Sequence, residues 1–459
     1  MSRTPASCSD GVKTAALGPA SFSHSLCWRK LLMVLLSWLL SIRIALGEET
    51  FIIGVDTQLM NDNGSSAKVL RLLEEAGVNS VRDDAYWSTV EPRRGFMRID
   101  PAWREYLSKT QEHRLRPLLV LGYGNPFYEN YAKPRQPPVS LAFGNYVSFV
   151  SRELADSVDL YEIWNEWDRD NPVDAWATKD YSNLIEDSVA HIRKQKQPVT
   201  ILAGAVTSLG MELGFADRLI QNGILNQVDG LSLHPYVHCR HEERHTPERW
   251  IAWLRWIDAD LRTLAARPVP LYLTEMGWPT NTGKCGISEQ TQAAFLARSF
   301  FLAQTVPDIK GLWWNGLIDS GRDSNDPQQN FGLLKYDLSL KPSYLTLKAI
   351  SSTLLEYRYD AEKSRELGST YLLRFAKGAE QILVAWTTGT PRRTHVEASS
   401  MQHGTVRMID SGQPERGLFD TDIVWSCNDA RCSAQVPIDE FPKIISLGTR
   451  PALFAHDAH

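Results

Sequence analysis

From Phe51 onward the sequence alternates short apolar segments with longer amphipathic ones, and this alternation strongly constrains the fold. Such a pattern predicts an α/β protein with parallel strands and crossover helices. We predict eight strands, at Phe51–Asp56, Ser80–Asp84, Pro117–Gly122, Asp159–Glu166, Thr200–Val206, Val228–His234, Val269–Glu275 and Gly311–Leu317. Helices are predicted at Ala67–Ala76, Trp103–Glu112, Phe143–Leu154, Tyr181–Lys194, Trp250–Leu264 and Glu289–Gln304. Eight such repeats over about 300 residues indicate a (β/α)8 TIM barrel.

After a last predicted helix at Ser343–Leu355 the pattern changes. Short strand-like runs follow, separated by Gly, Pro and Asp, at Tyr371–Phe375, Gln381–Trp386, Thr405–Ile409, Ile423–Ser426, Ser433–Val436 and Ile444–Leu447. They predict a smaller C-terminal β-sandwich. We therefore expect a catalytic barrel at residues 48–355 and a β-sandwich at residues 356–459, packed against the barrel rather than binding sugar independently.

The first 47 residues differ from the rest of the chain. Basic residues Arg29 and Lys30 precede the apolar run Leu31–Ile42, and the small residues around Ala45 follow at a cleavage spacing. This pattern predicts a secretory signal peptide, with a retained membrane anchor through residues 31–42 as the alternative. Both place the body of the protein in the periplasm or outside the cell. A net charge of −5 gives no indication of nucleic-acid binding.

Four cysteines remain beyond this leader: Cys239, Cys285, Cys427 and Cys432. An even number is compatible with an oxidising compartment, and three pairings are possible. Cys427 and Cys432 are close enough in sequence to join a hairpin. Cys239 and Cys285 follow strands that would be neighbours in the barrel, so their loops could also be bridged.

Two predicted strands run into a glutamate surrounded by tryptophans. Tyr161–Trp167 contains Asn165 and Glu166, and Pro270–Trp278 contains Glu275. In a TIM barrel the carboxyl ends of the strands converge on one site, so the two carboxylates are expected to meet there. Such a pair can hydrolyse a glycosidic bond, one group acting as acid and the other as nucleophile. Glu162 would lie lower in the same strand and is expected to be structural.

Neighbouring residues are expected to set the charge states of this pair. A partly desolvated setting beside Trp164, Trp167 and a second carboxylate would raise the pKa of Glu166 and keep it protonated. Arg82, at the end of the second strand, would compensate the charge of Glu275, and the hydroxyl of Tyr236 could donate to it.

Several motifs together resemble the clan of retaining barrel glycosidases. They are Asn165-Glu166, Leu273–Trp278, Ser80-Val81-Arg82, His234-Pro235-Tyr236 and Trp313-Trp314. Trp87, followed by Val90-Glu91-Pro92 and Gly95, is similar to glycoside hydrolase family 39, and the leader and layout resemble its biofilm exopolysaccharide glycosidases.

The resemblance assigns a role to each matching residue. It implies Glu166 as acid/base, Glu275 as nucleophile and Asn165 as a ligand of the sugar 2-hydroxyl. Arg82, His234 and Tyr236 would support the nucleophile, and Trp314 or Trp313 would lie under the cleaved sugar. Because Trp313 and Trp314 alternate sides of a strand, one is expected in the core and the other at the site. Tyr123, Trp87 and Trp278 are further aromatic residues at strand ends that are expected to contact substrate, which favours an open groove with several subsites.

His241-Glu242-Glu243-Arg244-His245 matches a zinc-protease pattern. That motif requires an amphipathic helix, whereas this stretch is polar and Pro247 follows closely, so a polar loop is predicted. We expect no metal and no cofactor.

The sequence therefore predicts a retaining glycoside hydrolase that cleaves an extracellular or biofilm-type polysaccharide. One alternative is a glycosidase of the same clan acting on xylan, mannan or β-glucan. The other is a non-catalytic sugar-binding scaffold in a polysaccharide export assembly, although a pure binder has no need of two opposed carboxylates.

Overall fold

The computed structural model describes residues 50–61, 67–240, 245–399, 404–409, 418–428 and 431–449. The predicted leader, including Leu31–Ile42, lies outside these residues. The described residues belong to one compact unit that begins at Thr50. Across the described ranges, no helix combines the length and apolar character needed to cross a bilayer.

The predicted TIM barrel is confirmed. Parallel strands β1 to β8 each pair with the next, and β8 pairs with β1 to close the barrel. The strands are β1 (Ile52–Asp56), β2 (Ser80–Tyr86), β3 (Arg116–Gly122), β4 (Leu160–Ile163), β5 (Thr200–Thr207), β6 (Gly230–His234), β7 (Leu271–Met276) and β8 (Ile309–Asn315). The helices are α1 (Ala67–Glu75), α2 (Trp87–Val90), α3 (Pro101–Glu112), α4 (Val139–Glu153), α5 (Ala175–Ile192), α6 (Ser208–Glu212), α7 (Phe215–Gln221), α8 (Pro247–Ala265), α9 (Glu289–Ala303) and α10 (Pro342–Glu356).

Strand β4 is shorter than the sequence predicts, because it stops at Ile163 rather than at Glu166. Trp164 and Glu166 have φ angles of 63° and 45°, in the left-handed region that ends a strand. Glu166 therefore lies in a turn that leads into a 3-10 segment at Trp167–Arg169. This turn, rather than the strand itself, sets the direction of its carboxylate.

The interior of the barrel is filled by side chains from alternate positions of the strands, as expected for this architecture. A buried apolar cluster there comprises Leu118, Leu160, Leu202, Tyr272 and Trp313. The large Trp313 ring fits because the paired residue of β1 is Gly54, where a Cβ atom would lie only 2.1 Å from the ring. The interior is thus a packed core beneath the carboxyl-end face.

The C-terminal region forms two antiparallel sheets that pack face to face. In the part of the chain described, one sheet has the order β14-β13-β17-β11-β10-β9 and the other β12-β16-β15. Their strands are β9 (Arg358–Leu367), β10 (Thr370–Lys377), β11 (Glu380–Thr387), β12 (Arg392–Ser399), β13 (Gly404–Ile409), β14 (Leu418–Ile423), β15 (Ser426–Asn428), β16 (Arg431–Ile438) and β17 (Lys443–Thr449). A shared core that includes Ala385, Val396 and Val436 lies between the sheets, which makes the predicted sandwich.

The larger sheet also packs on the barrel. Phe375 of β10 contacts Phe301 of α9, with ring centroids 5.6 Å apart. Trp386 of β11 donates its indole N–H to Glu248 of α8 at 2.9 Å. The larger sheet of the sandwich therefore contacts two barrel helices, α8 and α9.

Both disulfides that the sequence left open are present. Cys239 is bonded to Cys285, which joins the loops after β6 and β7. Cys427 is bonded to Cys432 and joins the hairpin of β15 and β16.

Candidate active site

A cavity of about 660 Å³ opens at the carboxyl ends of the barrel strands. Its wall includes five of the predicted site residues: Arg82, Asn165, Glu166, Tyr236 and Glu275. Its volume lies in the range of typical ligand sites. The residues gathered here are distant in sequence, and the barrel brings them together because their strands all end on this face.

Glu275 projects from β7 and is held on both carboxylate oxygens. The Tyr236 hydroxyl donates to Oε1 at 2.7 Å, and Nδ2 of Asn315 lies 3.3 Å from the same oxygen. Nη1 of Arg82 lies 3.3 Å from Oε2. Hydrogen bonds and a neighbouring cation thus fix the direction of Glu275 and compensate its charge. The predicted contacts from Arg82 and Tyr236 are both present.

Arg82 is buried and connects the site to the barrel interior. Its Nε donates to Glu162 at 2.9 Å, and its Nη2 donates to Oδ1 of Asn165 at 2.9 Å. Burial lowers the pKa of Arg82, but Glu162 and Asp56 raise it well above its ordinary value. The guanidinium is therefore a permanent cation. Because it occupies the Asn165 oxygen, the amide NH₂ of Asn165 is the group available to donate to a ligand.

Glu162 lies beneath the cavity floor, as its position in β4 predicted. Its carboxylate receives hydrogen bonds from Arg82 and, at 2.7 Å, from the Thr274 hydroxyl. Burial raises the pKa of Glu162, but the charges of Arg82 and His234, together with hydrogen bonds from Ser232 and Thr274, lower it overall. Glu162 therefore acts as a fixed anion that positions Arg82.

Glu166 is mostly buried and is bonded on both oxygens. Oε1 lies 3.1 Å from His234 Nδ1, and Oε2 lies 3.2 Å from Nη1 of Arg169. Burial raises the pKa of Glu166, but the His234 hydrogen bond and the charges of His234 and Arg169 lower it overall. This direction is opposite to the one expected from the sequence, which considered burial beside tryptophan but not these two partners.

The fully buried His234 links the two glutamates. Its Nδ1 faces Glu166 and also lies 3.5 Å from Oε2 of Glu275, while its Nε2 lies 3.2 Å from the Thr274 hydroxyl. Thr274 donates its proton to the carboxylate of Glu162, so its oxygen is left to accept from His234 Nε2. Both ring nitrogens of His234 then carry a proton and donate, so the ring is a positively charged imidazolium. Burial lowers the pKa of His234, but the two glutamates raise it overall.

The two candidate catalytic carboxylates are close together. Glu166, His234 and Glu275 each place one atom within 4.8 Å of the others. A pair of carboxyl groups about 5–5.5 Å apart is typical of retaining glycosidases, whereas inverting enzymes need a wider gap for water. The same three side chains could also surround a cation. However, a His234 that donates from both nitrogens has no lone pair for a metal, and Arg82 already supplies positive charge beside Glu275.

The tryptophans expected to contact substrate lie elsewhere. Trp313, Trp314, Trp278 and Trp87 are fully buried, and none lines the cavity. Trp313 donates to Ser80 inside the barrel. Trp314, on the opposite side of β8, donates to the Phe331 carbonyl. Trp278 donates to the His245 carbonyl and Trp87 to Glu91. The expectation of sugar contact is therefore corrected for all four. Trp313 and Trp314 do point to opposite sides of β8, but both sides are packed core.

Trp164 and Trp167 shape the turn that carries Glu166. Their rings pack edge to face, with centroids 5.3 Å apart, and Trp167 also stacks on Tyr181 of α5. The Trp167 indole donates to the Ala177 carbonyl at 2.9 Å. These contacts anchor the left-handed turn from below, so that Glu166 points into the cavity.

Other cavity residues were not singled out from the sequence. Asn315 ends β8 directly after the tryptophan pair, Asp56 ends β1, and Asp84 lies two residues before the end of β2. The strand-end rule that identified Glu275 would also have found them. Arg169 ends the 3-10 segment after Glu166, and His238 lies in the loop after β6, so neither stands at a strand end that the sequence pattern marks. Burial lowers the pKa of His238 to about 4, so it is a neutral wall residue near neutral pH.

The zinc-protease pattern falls largely outside the described residues, because residues 241–244 are not among them. Its last histidine, His245, precedes the start of α8 and contributes its carbonyl to Trp278.

The fold resembles solved glycoside hydrolases. No known protein-family model matches the chain, and no curated protein sequence matches it. A family 39 glycoside hydrolase from Bacteroides cellulosilyticus WH2 is 22% identical, with a TM-score of 0.70 over 86% of this chain and 80% of that one. A GH39 β-xylosidase from Caulobacter crescentus is 15% identical, with a TM-score of 0.60 over 88% and 97%. A GH30 endoxylanase from Clostridium papyrosolvens C71 is 13% identical, with a TM-score of 0.60 over 88% and 97%. At these identities the similarity shows a shared barrel architecture with trailing sheets.

Proposed function

We propose that the chain is a retaining glycoside hydrolase that cleaves an extracellular or biofilm-type polysaccharide. The observation that carries the proposal is the opposed pair Glu166 and Glu275, with oxygens within 4.8 Å, at the carboxyl end of a TIM barrel. The fold shared with solved glycoside hydrolases supports it.

In this mechanism Glu275 attacks the anomeric carbon while Glu166 gives its proton to the departing glycosidic oxygen. The bond to the leaving group breaks, and a glycosyl ester of Glu275 forms. Glu166, now a carboxylate, then takes a proton from water as that water attacks the same carbon and releases Glu275. Tyr236, Arg82 and Asn315 hold the nucleophile, and Asn165 donates its amide to a sugar hydroxyl.

A second substrate class is a plant polymer such as xylan. The names of two similar structures, a β-xylosidase and an endoxylanase, favour it. The remaining candidate is a non-catalytic sugar-binding scaffold in a polysaccharide export assembly. Disulfides at Cys239 and Cys427 favour an oxidising compartment, and we propose a periplasmic or secreted location, with membrane attachment through residues 31–42 if the leader is retained.

The test is reducing-end release from a panel of polysaccharides by the leader-free protein and its Glu166→Gln and Glu275→Gln variants. The panel contains xylan, mannan, β-glucan and bacterial exopolysaccharides. We expect the parent to cleave at least one of them and both variants to lose several orders of magnitude in rate. A parent that binds a glycan and releases nothing, or variants as active as the parent, would refute the proposal.

An aryl glycoside of the released sugar separates the two roles. A strongly acidic phenol leaves without needing a proton, so Glu166→Gln should form the glycosyl ester readily and then stall. Glu275→Gln should be inactive on the same substrate, because no nucleophile remains.

A further inference from the structure

Four exposed apolar side chains lie on two segments next to the turn that carries Glu166, and one of them reaches the cavity. Leu209 lines the cavity and is 53% exposed, and Leu213 is 41% exposed. Val173 and Trp176 are 60% and 80% exposed. These four residues are called the apolar shelf below. Clustered exposed apolar residues of this size commonly mark a binding surface.

The shelf comes from two segments that are fixed to each other. Leu213 follows α6, and its amide donates to the Leu209 carbonyl at 3.0 Å, so the two leucines lie on one side of a helical turn. The guanidinium of Arg218 donates to the Leu213 carbonyl at 3.0 Å and also to the carbonyl of Pro172, next to Val173.

The Trp176 segment is held by further bonds. Nε of Arg218 lies 3.3 Å from the Thr178 hydroxyl. Asp174 accepts the Trp176 amide at 2.8 Å and thereby caps α5. The backbone that carries the exposed indole is therefore well defined.

The shelf is also fixed to the turn that carries Glu166. Asp168, two residues after Glu166, is fully buried and accepts the Thr207 amide at 3.2 Å and the Thr207 hydroxyl. A Cβ atom at Gly210 would lie 2.0 Å from Asp168, so α6 packs directly against this turn. Leu209 therefore stands beside the candidate acid.

The position of the acid indicates what lies over the shelf. Glu166 must reach the glycosidic oxygen, and that oxygen leaves with the part of the substrate beyond the cleaved bond. The leaving side of the substrate therefore passes along the wall next to Glu166. Sugar rings present apolar C–H faces that pack well on an indole ring and on aliphatic side chains.

We propose that the apolar shelf binds the leaving-group side of the glycan, so that the enzyme acts on a chain extending beyond the cleaved bond. This inference rests on the proposed glycosidase function and adds where the polymer continues. Binding energy from these remote sugars can lower the activation barrier for hydrolysis. A short glycoside should therefore be a poorer substrate than a long chain.

The experiment compares kcat/KM for long and short substrates in the parent and in two single variants. The long substrates are xylan, mannan, β-glucan and a bacterial exopolysaccharide, and the short ones are the 4-nitrophenyl glycosides of xylose, mannose, glucose and galactose. Trp176→Ala removes the most exposed part of the shelf, and Trp256→Ala removes a 60% exposed tryptophan on α8 as a matched control. We expect Trp176→Ala to lower the ratio of long-chain to short-substrate kcat/KM at least ten-fold, and Trp256→Ala to leave it unchanged.

Each other outcome has a defined meaning. If the parent cleaves a polymer and Trp176→Ala has the same ratio of long-chain to short-substrate kcat/KM as the parent, the proposed role of the apolar shelf is wrong. The glycosidase function would remain intact. A parent that cleaves none of the substrates would refute the function and, with it, the shelf. A dimer in light scattering that Trp176→Ala converts to a monomer would show that a second copy covers this surface, and would also overturn the inference.

Discussion

The Nδ1 atom of His234 lies 3.1 Å from Oε1 of Glu166, so the candidate acid/base is paired with a fully buried imidazolium. This pairing gives the site its pH behaviour. The cation favours the carboxylate form of Glu166, the form that must act as base in the second step of a retaining mechanism. Three predictions concern this pair and its surroundings, and a fourth concerns the packed interior of the barrel.

Activity should be highest at acidic pH. Protonated Glu166 is needed for bond cleavage, and its pKa lies below the ordinary value of 4.5, so kcat/KM should fall as pH rises from the acidic range. Arg169→Gln removes a cation 3.2 Å from Glu166 and should move this fall to higher pH. The check is kcat/KM against pH on the best substrate. Arg193→Gln, which removes an ion pair with Asp229 at the opposite end of the barrel, should not move the profile.

Tyr236→Phe should slow catalysis more than it weakens binding. The variant loses a 2.7 Å hydrogen bond to Glu275. Hydrogen bonds to charged groups contribute about 1.5–3 kcal/mol, which corresponds to a decrease of about 10- to 100-fold in kcat. Steady-state kinetics with separate kcat and KM values test this. A change confined to KM would contradict the role given to Tyr236, and Tyr336→Phe, at an exposed loop position, serves as control.

Stability should depend on pH through His234. Its pKa is raised on folding, so its contribution is fully present below the unfolded value of 6.5 and is lost as pH rises through the folded pKa. Glu166, whose pKa is lowered, contributes above 4.5 and loses that contribution as pH falls. His234→Gln should therefore lower the free energy of unfolding most between about pH 4.5 and 6.5, and progressively less at alkaline pH.

Thermal unfolding of the parent and His234→Gln across pH 4.5 to 9 measures this difference. A penalty that grows with pH would contradict the assignment of His234 as a cation. His395→Gln, a substitution at a half-exposed surface histidine of the sandwich, provides the reference.

Gly54→Ala should destabilise the barrel strongly. The new methyl group would lie 2.1 Å from the ring of Trp313, which is completely buried in the barrel interior. Overpacking of this kind typically costs about 1–3 kcal/mol. Gly144→Ala within α4 is the matched control, since its Cβ would meet only a His191 ring at 3.2 Å and alanine favours the helix. Denaturant unfolding of both variants tests the contrast.

The sequence predicted the barrel well because its strands are short, apolar and regularly spaced. It placed Arg82, Glu275 and Tyr236 correctly because strand ends converge in this fold. It overextended β4, since nothing in the residue types of Trp164 and Glu166 announces a left-handed backbone.

The tryptophans were misassigned for a different reason. A tryptophan at a strand end is suited both to a sugar platform and to the core, and only the packing of neighbours such as Phe331 around Trp314 decides between them. Strands β9 and β12 were missed because Arg358–Leu367 and Arg392–Ser399 are mainly polar. Their strand conformation depends on pairing with β10 and β16 rather than on local preference.

The Cys239–Cys285 bond also determines how the protein responds to a cut in its backbone. It spans the chain from the loop that follows Tyr236 to the loop that follows Glu275. If a protease cut the backbone once between these cysteines, the disulfide would keep the two pieces covalently attached. The loop after Tyr236 would then still be joined to the loop after Glu275. The catalytic face should therefore survive a single cut in this stretch, and such a nicked enzyme would separate into two bands only on a reducing gel.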